Sequence, residues 1–112
     1  MSEGAPMEDW TTGAETILVR VCDECGGTWY LPRDVCPSCG SESVRSRPSA
    51  GAGVCAAVTR FAAKEAQPPH AFCLIDLDEG ARMMARCDPA LEAGDRAAAS
   101  YVDGLPLFTA VR

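Results

Sequence analysis

Aromatic side chains make up only 6% of this 112-residue chain, histidine occurs once, at His70, and ten Lys and Arg stand against sixteen Asp and Glu. Each scarcity excludes something. The net charge of −6 repels phosphate backbones, whose capture supplies most non-specific nucleic-acid affinity. Binders of single strands also need aromatic stacking platforms, and the second half of the chain offers only Phe61, Phe72, Tyr101 and Phe108, some of which a core must use. No run approaches the ~18 apolar residues that cross a bilayer, so a membrane protein is not expected. The first twenty residues include Glu3, Glu8, Asp9 and Glu15 and have no apolar stretch after a basic start. No secretory signal is legible there, and the expected location is cytoplasmic. The length allows one ordinary domain or two very small ones, which rules out a large enzyme.

Cysteine, by contrast, is plentiful. Seven in a reducing compartment exceed what packing asks for, and disulfides are uncommon there. Cys22 and Cys25 form one Cys-x2-Cys pair, in CDECG, and Cys36 and Cys39 a second, in CPSCG, after ten intervening residues. Such a turn lets two sulfurs reach one metal, and Gly26 and Gly40, each after the second cysteine, supply the positive φ that a knuckle needs. Two knuckles around TWYL predict a rubredoxin-like zinc ribbon holding one Zn2+. Iron held by the same four sulfurs, in a rubredoxin-like electron carrier, uses identical ligand chemistry, while a redox dithiol lacks the βαβ setting it needs. Four thiolates leave zinc no open position for water, so the metal is expected to staple the fold rather than catalyse.

The chain divides by texture. Residues 1–16 show neither helical nor strand period and read as an N-terminal arm, with Trp10 its one large apolar group. Residues 17–45 carry the ribbon, with short strands at ILVRV and TWYL and little core of their own. The stretch 46–53, SRPSAGAG, reads as a linker. Residues 54–112 contain five strand-length runs, 54–61, 71–77, 81–87, 96–102 and 105–111. In ARMMARC the arginines share one parity and Ala81, Met83, Ala85 and Cys87 the other, as in a half-buried strand. DEG at 78–80 and DG at 103–104 are hairpin turns. DPALEAGD at 88–95 predicts one helical turn capped by Asp88, with Pro89 at its first position. Five strands with a short helical element after the third is the order of an OB-type barrel, although the alanines at 97–99 could equally start a helix. The fold class is therefore mostly β, a zinc ribbon followed by a five-stranded barrel.

Chemistry outside the cysteine pairs is sparse. Cys55, Cys73 and Cys87 fall in strand runs and read as small core residues. The single histidine, His70, follows Pro68 and Pro69 in a loop, and Asp76, Asp78 and Glu79 belong to a strand end and its turn. The chain offers no triad, carboxylate pair or phosphate loop, and no catalytic residue is assigned. An OB module for single-stranded nucleic acid stands as an alternative, against the charge.

The order CDECG, TWYLPRDVCPSCGSE, AGAGV and PPHAFCLIDLDEGARMMAR resembles the zinc-ribbon plus OB-fold acyl-CoA-associated family over residues 10 to 111. Its most specific pieces are Pro32 and Arg33 before the second knuckle and the LDEG turn at 77–80. The resemblance implies a non-catalytic accessory subunit in a hetero-oligomer with a thiolase-superfamily enzyme acting on acyl-CoA thioesters. Such partners are aldolases, thiolases or acyltransferases, including steroid side-chain aldolases, and they carry the catalytic residues. The ribbon and barrel would stabilise the partner and shape its acyl-CoA site, without nucleic acid or membrane. Trp10, Trp29, Tyr30, Arg60, Lys64 and His70 are the expected acyl-CoA or partner contacts, since aromatic anchors dominate hot spots.

Overall fold

The computed structural model describes residues 8–64 and 68–111. The first seven residues of the expected arm, and residues 65–67 of the loop that carries Lys64 and His70, lie outside the described residues. A single 3-10 turn, Trp10–Thr12, opens the structure, its N-terminus capped by the Asp9 carboxylate, which accepts the Thr11 N–H at 3.0 Å. Gly13, at φ 102, closes it. Residues 10–12 of the arm thus have regular structure, and Trp10 packs against the protein's own core.

Three strands form the ribbon sheet: β1 (Ile17–Cys22), β2 (Thr28–Trp29) and β3 (Val44–Ser49), in the order β2-β1-β3. β1 is central and buried on both faces apart from half-buried Arg20. β2 pairs with it at only two positions, Arg20 with Trp29 and Val21 with Thr28. The expected linker, 46–53, is corrected: residues through Ser49 extend β3 along the whole of β1, from Ile17 opposite Ser49 to Cys22 opposite Val44. Only Ala50 and Gly51 separate β3 from β4. Ser, Gly and Pro suggested a flexible joint, but edge-strand pairing with β1 tolerates Pro48, whose missing N–H falls where one side of the strand has no neighbour.

The barrel comprises β4 (Ala52–Phe61), β5 (His70–Leu77), β6 (Arg82–Cys87), β7 (Arg96–Val102) and β8 (Leu105–Ala110), closed in the order β4-β5-β6-β8-β7. These strands lie within a residue or two of the five expected runs. The parity read in β6 holds: Met83, Ala85 and Cys87 face inward and Arg82, Met84 and Arg86 outward. Ala97 is fully buried in β7 opposite Ala110, so barrel pairing, rather than alanine's helical preference, decides residues 97–99. A bulge between Cys55 and Ala57 bends β4, which pairs with β5 from Gly53 to Phe61 and, at its start, also with β7 on its other side. Gly53 sits where these sheets close in; a Cβ there would lie 2.2 Å from the Asp76 carbonyl oxygen. β6 and β8 run parallel and meet at only two positions, Arg86 with Leu107 and Cys87 with Phe108.

The helical turn expected at 88–95 is also corrected. Residues 88–95 make two successive turns instead, with the Asp88 carboxylate accepting the Ala90 N–H at 3.0 Å and the Asp95 N–H donating to the Glu92 carbonyl at 3.1 Å. The segment must drop Leu91 into the barrel, where it is fully buried, and a regular helix would carry the chain past that point. One core serves both halves: Ile17 and Val19 of β1 belong to the same buried cluster as Ile75, Met83, Leu91 and Phe108 of the barrel. Cys55, Cys73 and Cys87 are buried in it as small apolar residues, as their positions predicted.

Candidate metal centre

The two knuckles are near copies of one another. The Gly26 N–H donates to the Cys22 carbonyl at 2.9 Å and the Gly40 N–H to the Cys36 carbonyl at 3.0 Å. Gly26 and Gly40 have φ of 77° and 79°, a region that side chains disfavour, which is why the CxxCG spacing builds this turn. Beyond each knuckle the backbone closes again, Cys22 N–H to the Gly27 carbonyl and Cys36 N–H to the Ser41 carbonyl, both at 2.9 Å.

The four sulfurs lie within 4.8 Å of one another, with Cys22 Sγ to Cys39 Sγ and Cys25 Sγ to Cys36 Sγ both 3.6 Å. Four sulfurs at about 2.3 Å from one zinc would stand about 3.8 Å apart, so the tetrahedron is of the right size. Backbone donors surround it: the N–H groups of Glu24 and Cys25 reach Cys22 Sγ at 3.4 and 3.5 Å, that of Gly27 reaches Cys25 Sγ at 3.4 Å, and that of Ser38 reaches Cys36 Sγ at 3.3 Å. Such donors favour thiolate over thiol. The Cys39 N–H is the largest influence on Cys36, and with that of Ser38 it brings the thiol down to about 6. Cys39 moves the other way, to about 12: the Ser41 N–H lowers it, but Cys22, burial and the other two sulfurs outweigh that donor. Four sulfurs packed this closely cannot all ionise without a cation, and the donor set is the soft one that zinc takes in closed structural sites. One structural zinc held by Cys22, Cys25, Cys36 and Cys39 fits the geometry and leaves no position for a reacting water.

The other expected contact residues fall in two groups. Trp10 and Tyr30 come together, the indole Nε1 donating to the Tyr30 hydroxyl at 2.8 Å, and both pack against the core. Trp29, in β2, is half-buried, and its Nε1 is buried without a partner among the described residues. At the far end of β4 and β5, His70 stacks on Phe61 with ring centroids 4.9 Å apart and meets Phe72 edge-on at 6.0 Å. Phe72 lines an apolar cleft that Trp10 also borders, and so joins the two groups. Lys64 is exposed. Arg60 is engaged within the chain, donating from Nε to the Pro89 carbonyl at 2.7 Å and from an η nitrogen to the Leu91 carbonyl at 2.6 Å. That pinning of the 88–95 segment was not legible in the sequence, since a lone arginine in a strand gives no sign of carbonyls about thirty residues away.

A small ribbon held by four cysteines and sharing its core with a closed five-stranded barrel defines the class of this molecule. Residues 10–45 match the family model described as ChsH2, rubredoxin-like zinc ribbon domain. One chain of the Ltp2-ChsH2(DUF35) aldolase has the same fold, with a TM-score of 0.69 and 21% identity over 85% of this chain and 84% of that one. A DUF35-family protein of unknown function from Sulfolobus solfataricus is similar too, with a TM-score of 0.67 and 14% identity over 86% of this chain and 76% of that one. Among proteins of curated function, none matches this sequence. The resemblance read from the sequence therefore holds, for the ribbon by its family model and for the two-part architecture by both solved structures.

Proposed function

We propose that this chain is a non-catalytic accessory subunit of a thiolase-superfamily enzyme acting on acyl-CoA thioesters, which it stabilises and whose acyl-CoA site it helps to shape. The observation that carries the reading is the shared architecture: ribbon and barrel together follow a chain of the Ltp2-ChsH2(DUF35) aldolase over most of both lengths. The partner would perform carbon-carbon chemistry as an aldolase, thiolase or acyltransferase, with steroid side chains among the candidate substrates, in the cytoplasm, where free cysteines persist.

The occupation of the reactive side chains around the β5–β6 turn and in the core supports an accessory role. The carboxylates of Asp76 and Asp78 are held by Arg82 and Arg96, and that of Glu79 by Ser49 and Ala50. Burial pushes the Cys73 thiol up to about 12 and raises Cys55 and Cys87 as well, opposite to what a nucleophile needs. His70 stacks on Phe61, and its Nδ1 lies 3.4 Å from the Pro68 carbonyl. In this reading Trp10, Trp29, Tyr30, Arg60, Lys64 and His70 contribute contacts to the partner or to the acyl-CoA.

The test is affinity capture of the tagged chain from its native host, mass spectrometry of what is retained, and assay of the retained enzyme with and without this chain. Recovery of a thiolase-like companion whose turnover or stability falls when this chain is removed is the expected result. A chain recovered alone, or a companion indifferent to it, refutes the proposal.

A further inference from the structure

Two short elements, β2 and the 3-10 turn, lie in series between the metal centre and one seam of the barrel. β2 is two residues long and pairs with β1 at two positions, too little to hold a strand in water unaided. What holds it is the first knuckle, through the Cys22 N–H to the Gly27 carbonyl immediately before Thr28. Tyr30 follows β2 directly, and its hydroxyl accepts the Trp10 indole N–H at 2.8 Å. Trp10 stands on a three-residue turn and borders the cleft beside the β6–β8 seam, with Met83, Met84, Leu105 and Pro106. That seam is paired at only two positions and is the one parallel junction of the barrel.

From this chain of dependence we propose that the metal centre controls the closure of the β6–β8 seam through Tyr30 and Trp10. With the four cysteines ligated, β2 is in register, Tyr30 is placed, and Trp10 lies against the seam. With the sulfurs unligated, β2 loses its anchor, Tyr30 no longer receives the indole N–H, and the cleft opens between β6 and β8. The rest of the barrel does not share this dependence. β4 and β5 pair at eight positions and β5 and β6 at six, with Cys73 and Ile75 buried between them.

Hydrogen exchange on the whole chain, zinc-loaded and then stripped by chelator under reducing conditions, tests the proposal. Exchange at Arg86 and Asp88 and at Leu107–Phe108 is expected to rise on stripping, to leave Cys73 and Ile75 protected, and to return when zinc is restored. A seam indifferent to zinc overturns the proposal, and so does equal loss of protection in every barrel strand, which would make ribbon and barrel one cooperative unit. Tyr30→Phe keeps the ring and removes the acceptor. Zinc-loaded, this variant is expected to retain one equivalent of metal while seam exchange rises roughly three- to tenfold, the size of one lost hydrogen bond. Unchanged seam exchange in this variant removes Tyr30 and Trp10 from the path.

Discussion

The Glu79 carboxylate accepts a hydrogen bond from the Ser49 hydroxyl at 2.7 Å, tying the tip of the β5–β6 hairpin to the last residue of β3, thirty positions earlier. Its second oxygen accepts the Ala50 N–H at 2.8 Å. One side chain thereby fixes the two-residue joint between ribbon and barrel. Replacing Glu79 with alanine is expected to cost about 1 to 2 kcal/mol, the value of charge-assisted hydrogen bonds discounted for partial exposure. Denaturant unfolding of both proteins measures it; an unchanged midpoint would show that the shared core alone holds the halves together.

The same carboxylate makes stability depend on pH. Burial raises Glu79, but the Ala50 N–H and Ser49 hydroxyl, with Arg47 nearby, outweigh it and hold the group below its ordinary value of 4.5. Hydrogen bonds from Arg82 and Arg96 likewise hold Asp76 and Asp78 below 3.8. A depressed folded value means that the stabilisation is complete above the unfolded value and is lost as the pH falls through the folded one. The stability gap between the natural chain and Glu79→Gln is therefore expected to be constant near neutrality and to close as the pH falls below 4.5 through the depressed folded value. A gap that persists there would mean that the ionised carboxylate is not what Ser49 and Ala50 recognise.

Metal analysis of the purified chain is expected to return one zinc per chain. Cys36→Ser should lower this below half an equivalent and abolish ordered structure in the two knuckles and β2, because zinc binding, worth about 10 to 16 kcal/mol in finger peptides, holds what the two-position pairing of β2 cannot. A red preparation whose iron cycles reversibly between redox states would instead favour electron transfer.

Gly53→Ala forces a Cβ to within 2.2 Å of the Asp76 carbonyl oxygen, which is backbone in the paired strand and cannot rotate away. The expected cost is about 3 kcal/mol, at the upper end of overpacking penalties, read from denaturant midpoints. Tolerance of alanine there would mean that β4 and β5 separate more easily than the closed barrel implies.

Phe108 is 0% exposed and Met84 67% exposed on strands that meet at the seam. Phe108→Ala is expected to destabilise by about 3 to 5 kcal/mol through loss of burial and the cavity left behind, and Met84→Ala by less than about 0.5 kcal/mol. A large effect at Met84 in the isolated chain would indicate that this side chain is covered in solution.

Local spacing determined the metal centre. Two CxxCG turns place four sulfurs and two positive-φ glycines within nineteen residues, and the knuckle is closed by backbone bonds inside each turn. Alternation determined the barrel strands, because in β5 and β6 a buried face every second residue is the only way to fill the interior. Segments whose structure depends on distant partners were not legible. Residues 46–49 pair along β1 despite linker-like composition, 88–95 turn twice to seat Leu91, and Trp10 finds its hydroxyl acceptor twenty residues away in Tyr30. Only the tertiary structure decided that ribbon and barrel share one core, since Ile17 and Val19 become interior only when the barrel closes beneath them.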